Sequence, residues 1–155
     1  MSQASNTTYS GSCQCCEVQY TIAGEPLMTY ACHCTDCQKR TGSAFSMGCI
    51  YSLQSLSLTG ELTAWARTSD DGHSNTRYSC AGCGNIIYGA SSVAPELIKL
   101  QPGTMASAQS IPVDAHIWLR SALEWLAIPE DSLQYNTQPA SLMDIYQAVI
   151  ERKKA

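Results

Sequence analysis

The sequence predicts a mostly β protein whose chain ends in one helix. Short runs of alternating apolar residues recur along most of the chain, and turn residues separate them. Many short strands spaced by about 8 to 12 residues are typical of a mostly antiparallel, all-β core. Only the C-terminal stretch repeats its apolar residues with the period of a helix. Nine cysteines, most of them closely grouped, indicate that metal sites tie parts of this core together.

The predicted fold begins after a polar N-terminal stretch. Residues 1–10 are rich in Ser, Thr, Asn and Gln, so we expect them to be disordered. A strand is predicted from Cys13 onward because apolar side chains alternate with polar ones, which is the period of a half-buried strand. Its buried face comprises Val18, Tyr20 and Ile22. With 155 residues the chain fits one domain of ordinary size, which we place at 11–135.

The middle of the chain carries the remaining strands and one short helix. We expect a strand over 27–31, followed by a helical turn that Thr35 caps and Gly42 ends. The next alternating run contains Phe45, Met47, Cys49 and Tyr51. Further strands are predicted around Ser57 and over 62–66, 76–79, 85–88 and 97–100. Residues 67–75 form a polar hairpin loop, in which we interpret His73 as solvated.

A C-terminal helical extension is predicted over 136–155. Its apolar stripe comprises Leu142, Ile145, Tyr146, Val149 and Ile150. These positions follow the i, i+3, i+4 spacing of one helix face. Ser141 is the natural N-cap. Such a stripe packs on the core or on a second subunit, so a homodimer stays open.

The charge of the chain excludes one broad class of partner. Nine Lys and Arg against 13 Asp and Glu leave a net charge of −4, so the electrostatic footprint of a nucleic-acid binder is absent. No apolar run approaches the ~18 residues of a membrane span, and a signal-peptide pattern is missing. We therefore expect a soluble, cytoplasmic protein without membrane partners, whose clustered thiols stay reduced and free to bind metal.

The stretch CHCTDC places three thiols and a histidine within residues 32–37. If Cys32 lies in extended backbone, Cys34 points to the same side and His33 to the other, and a tight turn brings Cys37 round. Three protein ligands with one open position are the arrangement of a catalytic zinc, because a substrate binds at the open position. Two alternatives remain: a disulfide with a spare thiol, and a closed structural site with a fourth ligand from elsewhere.

The stretch CAGCG contains Cys80 and Cys83 in the C-x2-C-G form of a zinc knuckle. Cys13 and Cys15 supply a partner pair, because residues i and i+2 of a strand share a face. The resulting four-thiolate zinc site is closed and therefore structural. Alternatively, Cys80 and Cys83 join the cysteines of CHCTDC. The cysteines left over as ordinary residues are Cys16 and Cys49.

Four motifs of the chain resemble those of the glutathione-dependent formaldehyde-activating enzymes, which share a domain with centromere protein V. The motifs are GSCQCCEVQY (11–20), CHCTDCQKRTGSAF (32–45), RYSCAGCGNIIY (77–88) and HIWLRSALEW (116–125). The resemblance implies an all-β, β-tent-like fold of antiparallel sheets with two zinc ions. The structural zinc matches Cys13, Cys15, Cys80 and Cys83, and the catalytic zinc matches Cys32, Cys34 and Cys37.

The activity that the resemblance implies is that of a carbon–sulfur lyase. The family's reaction joins formaldehyde, or here a similar small electrophile, to glutathione or a related thiol and gives S-(hydroxymethyl)glutathione. Two alternatives are a non-catalytic zinc module that binds glutathione or a protein partner, and an enzyme for another small thiol or electrophile.

Several other residues near these motifs are candidates for the site. Lys39 and Arg40 are candidate cofactor-binding residues, as counter-charges to a thiolate-rich centre, with solvated surface charges as the alternative. His116 is a candidate catalytic proton donor, with a hydrogen-bonded structural histidine as the alternative. Trp118 and Trp125 are interpreted as core or pocket wall.

Two residues depart from the family pattern. Cys16 stands where the family usually has glycine after C-x-C, and Glu124 stands where many members have proline before the tryptophan. The first departure alters a tight turn or adds a thiol beside the structural zinc. The second puts a carboxylate near a predicted pocket wall.

Overall fold

A computed structural model describes residues 7–154, which form eleven strands and two α-helices. The strands are β1 Thr8–Ser12, β2 Gln19–Ala23, β3 Met28–Cys32, β4 Ser46–Ser52, β5 Leu56–Thr59, β6 Leu62–Thr68, β7 Ser74–Cys80, β8 Ile86–Ser91, β9 Ala94–Leu100, β10 Ala115–Ile117 and β11 Leu133–Gln134. The α-helices are α1 Thr35–Thr41 and α2 Leu142–Lys154. The predicted mostly β fold with a C-terminal helix is confirmed. No helix in the described range is long and apolar enough to cross a membrane.

The chain divides into two compact units, each discontinuous in sequence. The first unit contains Met1–Pro26 and Cys49–Ile111, and the second contains Leu27–Gly48 and Pro112–Ala155. The four-cysteine set belongs to the first unit, and the three-cysteine set belongs to the second.

Antiparallel pairing builds the sheets of the first unit. One sheet has the strand order β1-β2-β5. The other runs β4-β9-β8-β7-β6, with β4 contributing its residues from Cys49 onward to this unit. The hairpin between β6 and β7 closes through a hydrogen bond from Ser69 N–H to His73 O at 2.8 Å, and His73 is exposed. The predicted polar loop is therefore present but shorter.

The core of the first unit contains the three residues that the sequence predicted as the buried face of a strand. Val18, Tyr20 and Ile22 are buried, while the residues between them are exposed. They pack with the buried residues Cys13, Cys49, Tyr51, Cys80, Ile87, Ile98, Leu100 and Met105. The buried alternation of β2 therefore follows directly from the period of two in the sequence.

The strand predicted from Cys13 begins later than expected. Cys13 opens a turn instead, in which its N–H donates to Val18 O at 3.0 Å and its carbonyl accepts from Cys16 N–H at 3.1 Å. A separate strand, β1, precedes this turn and pairs with β2. The expectation of disorder is thus wrong for residues 8–10, and its part at 1–6 lies outside the described residues.

Parallel pairing distinguishes the second unit. Strand β10 lies between β3 and β11 and runs parallel to both. Ile117 pairs with Cys32, and His33 N–H continues the ladder by donating to Ile117 O at 3.0 Å. Strands β10 and β11 were not predicted, because three and two residues are too few to display a period.

The short helix α1 follows β3 after a two-residue connection. Its N-cap is Cys34, whose Sγ accepts from Cys37 N–H at 3.4 Å, so the prediction that Thr35 caps the helix is wrong. Thr35 is instead the first helical residue. Gly42 ends the helix in the left-handed conformation, with φ of 61°, as the sequence predicted.

The C-terminal helix α2 matches the prediction in its N-cap and in its apolar face. The hydroxyl of Ser141 accepts from Met143 N–H at 3.0 Å, which is the bond that an N-cap makes. Ile145 and Val149 are buried. Near the other end, Arg152 donates to the carbonyl of Asp131, which holds the helix to the loop before β11.

Candidate metal centres

The three thiols of CHCTDC converge on one point. The Sγ atoms of Cys32, Cys34 and Cys37 all lie within 4.8 Å of one another. Cys32 ends β3, Cys34 caps α1, and Cys37 lies in the first turn of that helix. Cys32 is buried and the other two are half-buried, so the cluster is closed on its strand side and partly open on its helix side.

Hydrogen bonds among the three thiols shift the pKa values of Cys32 and Cys34 in opposite directions. Hydrogen bonds from Cys32 and then Cys37 lower the pKa of the Cys34 thiol to about 2. The bond to Cys34 in turn raises the pKa of the Cys32 thiol, and burial adds to that rise. These bonds favour the thiolate form at Cys34, and a divalent cation with affinity for sulfur would convert the remaining thiols to ligands by displacing their protons.

A second set joins four thiols from two turns of the first unit. The Sγ atoms of Cys13, Cys15, Cys80 and Cys83 lie within 4.8 Å of one another. Cys15 Sγ lies 3.4 Å from Cys13 Sγ and 3.7 Å from Cys80 Sγ. Tetrahedral zinc with Zn–S bonds of about 2.3 Å requires sulfur atoms about 3.8 Å apart, so this set fits a zinc ion. All four positions of the tetrahedron would come from the protein.

Backbone hydrogen bonds shape the two turns that carry this four-cysteine set. Gly84 N–H donates to Cys80 O at 2.9 Å and closes the knuckle, with Gly84 at φ of 73°. Gln14 N–H donates to Asn85 Oδ1 at 3.1 Å and ties the Cys13 turn to the knuckle. The backbone N–H of Asn85, followed by that of Cys15, lowers the pKa of Cys83 to about 6. The knuckle therefore presents N–H groups to a thiolate.

The two cysteines expected to be left over are outside both sets. Cys49 is buried in the core of the first unit. Cys16 is exposed and has φ of 65°, a backbone conformation that suits glycine. The glycine that the resemblance leads us to expect here would adopt this conformation without strain.

Two buried histidines form a pair beside the three-cysteine stretch. His33 Nε2 and His116 Nδ1 lie 2.9 Å apart in hydrogen-bonding distance. His33 is not among the clustered ligands, as the sequence predicted from strand alternation. Burial, followed by the neighbouring ring, lowers the pKa of His33, and burial lowers the pKa of His116. Both rings are therefore neutral at pH 7, and the outer nitrogens, His33 Nδ1 and His116 Nε2, have no protein partner.

The other residues singled out in the sequence differ in their exposure and in their hydrogen bonds. Lys39 is exposed, whereas Arg40 is half-buried and donates to the Ser46 hydroxyl. Both lie in the last turn of α1, where cations also suit the helix dipole. Glu124 and Trp125 are exposed, and with 74% of its surface accessible Trp125 is not a core residue.

Sequence reasoning missed two polar residues that contact the loop between the clustered thiols. Gln38 Nε2 and Ser121 Oγ both donate to the carbonyl of His33, at 2.8 and 3.0 Å. Both residues lie inside motifs already noted, directly after CHCTDC and within HIWLRS. Gln38 pairs with Ser121 across 83 positions, and Ser121 reaches His33 across 88 positions. The sequence does not display either pairing.

Comparisons with known proteins agree with this geometry. A relative from Emericella nidulans is 33% identical over 79 residues, which are 50% of this chain and 40% of that protein. Another from Fusarium vanettenii is 30% identical over 77 residues, 50% of this chain and 41% of that protein. Both carry the provisional name of glutathione-dependent formaldehyde-activating enzyme. The chain thus spans about two-fifths of the length of the curated relatives it matches.

A solved structure and a family model complete the comparison. The crystal structure of a Rhodobacter sphaeroides protein, 18% identical, superposes with a TM-score of 0.50 over 81% of this chain and 98% of that chain, a likeness of fold alone. The model of the family described as glutathione-dependent formaldehyde-activating enzyme matches residues 8–121. This match covers both cysteine sets and well over half of the chain. The chain therefore belongs to the glutathione-dependent formaldehyde-activating enzyme family.

Proposed function

We propose that this chain is a zinc-dependent enzyme of the carbon–sulfur lyase type, which joins formaldehyde to glutathione at Cys32, Cys34 and Cys37. One observation carries the proposal: three thiols converge, and no other His, Cys, Asp or Glu of the described residues joins them. A metal held by three protein ligands keeps a position for a substrate. Family membership supports the choice of thiol and aldehyde.

Bound zinc would stabilise the thiolate form of the substrate at that position. The thiol loses its proton, and its sulfur attacks the carbonyl carbon of formaldehyde to form the C–S bond. The electron pair of the C=O bond moves to oxygen, which takes up one proton, so the overall reaction is a balanced addition. The protein contributes mainly by holding both reactants together.

We assign His116 as the candidate proton donor to the formaldehyde oxygen, which becomes the new hydroxyl. Its Nδ1 faces His33 Nε2, and its Nε2 is buried without a protein partner. In the tautomer in which His33 donates, His116 Nε2 carries a hydrogen, and a neutral ring can present that hydrogen to an oxygen. Because burial lowers the pKa of His116, this ring fits the role of a neutral hydrogen donor better than that of a permanently charged group.

Lys39 and Arg40 are proposed to balance the charge of the loaded site. Three thiolates and one Zn²⁺ sum to −1, and a substrate thiolate brings the total to −2. Both cations lie on α1 directly after Cys37. The carboxylates of glutathione are further partners for them, particularly for the exposed Lys39.

The four-cysteine set is proposed as a structural zinc site. All four tetrahedral positions are filled by Cys13, Cys15, Cys80 and Cys83, so no position remains for a substrate. Under this proposal Cys16 and Cys49 bind no metal.

The test is the rate of exchange between formaldehyde, glutathione and their adduct, measured by NMR exchange spectroscopy. Zinc-loaded wild-type protein should speed the exchange above the uncatalysed rate, and Cys34→Ser should not. Cys16→Ser is the matched control, because it removes a thiol outside both sets, and it should behave as the wild type does. A wild-type protein that binds glutathione without speeding the exchange would establish a binding module instead of an enzyme.

A further inference from the structure

The main chain of His33 is held on both sides, between the first two cysteines of the three-cysteine set. Its N–H donates to Ile117 O at 3.0 Å. Its carbonyl accepts from Gln38 Nε2 at 2.8 Å and from Ser121 Oγ at 3.0 Å. These three hydrogen bonds hold the two peptide groups that join His33 to Cys32 and to Cys34, and leave them little freedom.

Gln38 connects the helix that carries Cys37 to the strand that carries Cys32. It follows Cys37 in α1, and its Nε2 also donates to Ser121 O at 2.7 Å. Both hydrogens of the amide are therefore used on carbonyls, which fixes the direction of the side chain. This one amide ties α1 both to the His33 carbonyl and to the turn that carries Ser121.

Ser121 is aimed at His33 by a turn with an unfavourable backbone conformation. Trp118, directly after β10, has φ of 61° and ψ of 39°, which residues with side chains rarely adopt. Its carbonyl accepts from both the N–H and the Oγ of Ser121, each at 3.1 Å. Such conformations persist where the surrounding structure holds them and are enriched at functional sites.

We propose that Gln38 and Ser121 are positioning residues that hold the three-cysteine set in its metal-binding geometry. The proposal rests on the proposed function, because it gives the HIWLRS turn a role in forming that site. Neither side chain is proposed to touch metal or substrate. Both act on the His33 carbonyl, so their loss should let Cys32 and Cys34 move relative to Cys37. Residues that orient metal ligands typically change metal affinity about 10- to 100-fold when they are replaced.

The test is titration with Co²⁺, whose thiolate charge-transfer and visible bands report the geometry of the site. Signal that disappears in Cys34→Ser is assigned to the three-cysteine set. Ser121→Ala and Gln38→Met should each weaken Co²⁺ binding there about tenfold, the low end of the range for such residues, and alter the visible bands. Ser121→Thr keeps the hydroxyl and should restore both affinity and spectrum.

The chain offers a matched control in the same unit. Ser132 Oγ and Gln134 Nε2 also donate to a single carbonyl, that of Pro129, at 2.6 and 3.2 Å. Ser132→Ala and Gln134→Met remove the same kinds of bond away from the cysteines. They should leave Co²⁺ binding unchanged, while thermal unfolding measures what each pair contributes to stability alone.

Unchanged Co²⁺ affinity in Ser121→Ala and Gln38→Met, or an equal loss in the control variants, would overturn the positioning role. If Ser121→Ala does not fold, Gln38→Met decides the question, since Gln38 is half-buried on a helix. Failure of the proposed function has a different signature: a wild-type protein that binds Co²⁺ at the three-cysteine set but does not speed the glutathione and formaldehyde exchange. In that case the positioning result still stands on its own.

Discussion

Two residues with side chains adopt left-handed backbone within the described range, and each sits beside a cysteine set or its support. They are Cys16, with φ of 65°, and Trp118, with φ of 61°. This conformation costs an L-residue roughly 1–2 kcal/mol, because Cβ approaches the following carbonyl. At Cys16 the turn that presents Cys13 and Cys15 imposes the conformation, which a glycine would adopt without this cost.

Because Cys16 has left-handed backbone, we predict that replacing it by glycine is tolerated better than replacing it by a β-branched residue. Cys16→Gly should change the free energy of unfolding by less than about 1 kcal/mol, because relief of strain offsets the entropy that glycine adds to the unfolded chain. Cys16→Val should destabilise by roughly 1–2 kcal/mol, because a β-branched residue tolerates left-handed backbone poorly. Urea unfolding measures both changes, with Gln14→Val as the control at an exposed neighbour with ordinary φ. Equal stability of Cys16→Val and Gln14→Val would refute the strain.

At the scale of elements, the four-cysteine set brings together two turns that are far apart in the sequence. The turn after β1 and the knuckle after β7 are joined by the bond from Gln14 N–H to Asn85 Oδ1 and by the four thiols. Cys13 and Cys80 are buried within the core of the first unit. If this set holds the proposed structural zinc, metal binding would be coupled to folding of that unit.

We predict that Cys80→Ser loses cooperative folding together with its tighter zinc. A structural zinc contributes about 10–16 kcal/mol in zinc-finger peptides, which equals or exceeds the usual net stability of about 5–15 kcal/mol for a whole domain. Metal analysis after dialysis against a chelator and circular dichroism on heating measure the two losses. The wild type should release its zinc ions in two steps of unequal ease. A well-folded Cys80→Ser protein that retains two zinc ions would show that the assignment of the structural site is wrong.

At the scale of the whole molecule, features that depend on neighbouring residues were predictable, and most pairings between distant residues were not. The buried face of β2, the end of α1 at Gly42 and the three-cysteine set follow from periods and spacings within a few residues, and the four-cysteine set combines two such local pairs. Strand β10 did not follow, because three residues display no period and its partners are distant in sequence. The pairing of His33 with His116 across 83 positions and the bond from Ser121 to the His33 carbonyl across 88 positions were missed for the same reason.

The same reasoning explains why the Cys13 turn was predicted as a strand. Residues i and i+2 share a face in a strand, and a tight turn can also bring two such thiols together. The spacing therefore identified thiols that do lie together, although the local structure it predicted was wrong. The four-cysteine set depends less on local structure than the predicted strand does, because a metal site requires only that four sulfur atoms lie close together.

The central claim is that stability and substrate binding reside in different cysteine sets, and calorimetric titration of glutathione tests it most directly. Zinc-loaded wild type, Cys34→Ser and the control Cys16→Ser are compared, each with its thermal unfolding curve. Wild type and Cys16→Ser should bind glutathione. Cys34→Ser should show no binding yet unfold cooperatively, because the four-cysteine set is intact. Glutathione binding by Cys34→Ser as tight as that of the wild type, or failure of that variant to fold, would contradict the separation of the two roles.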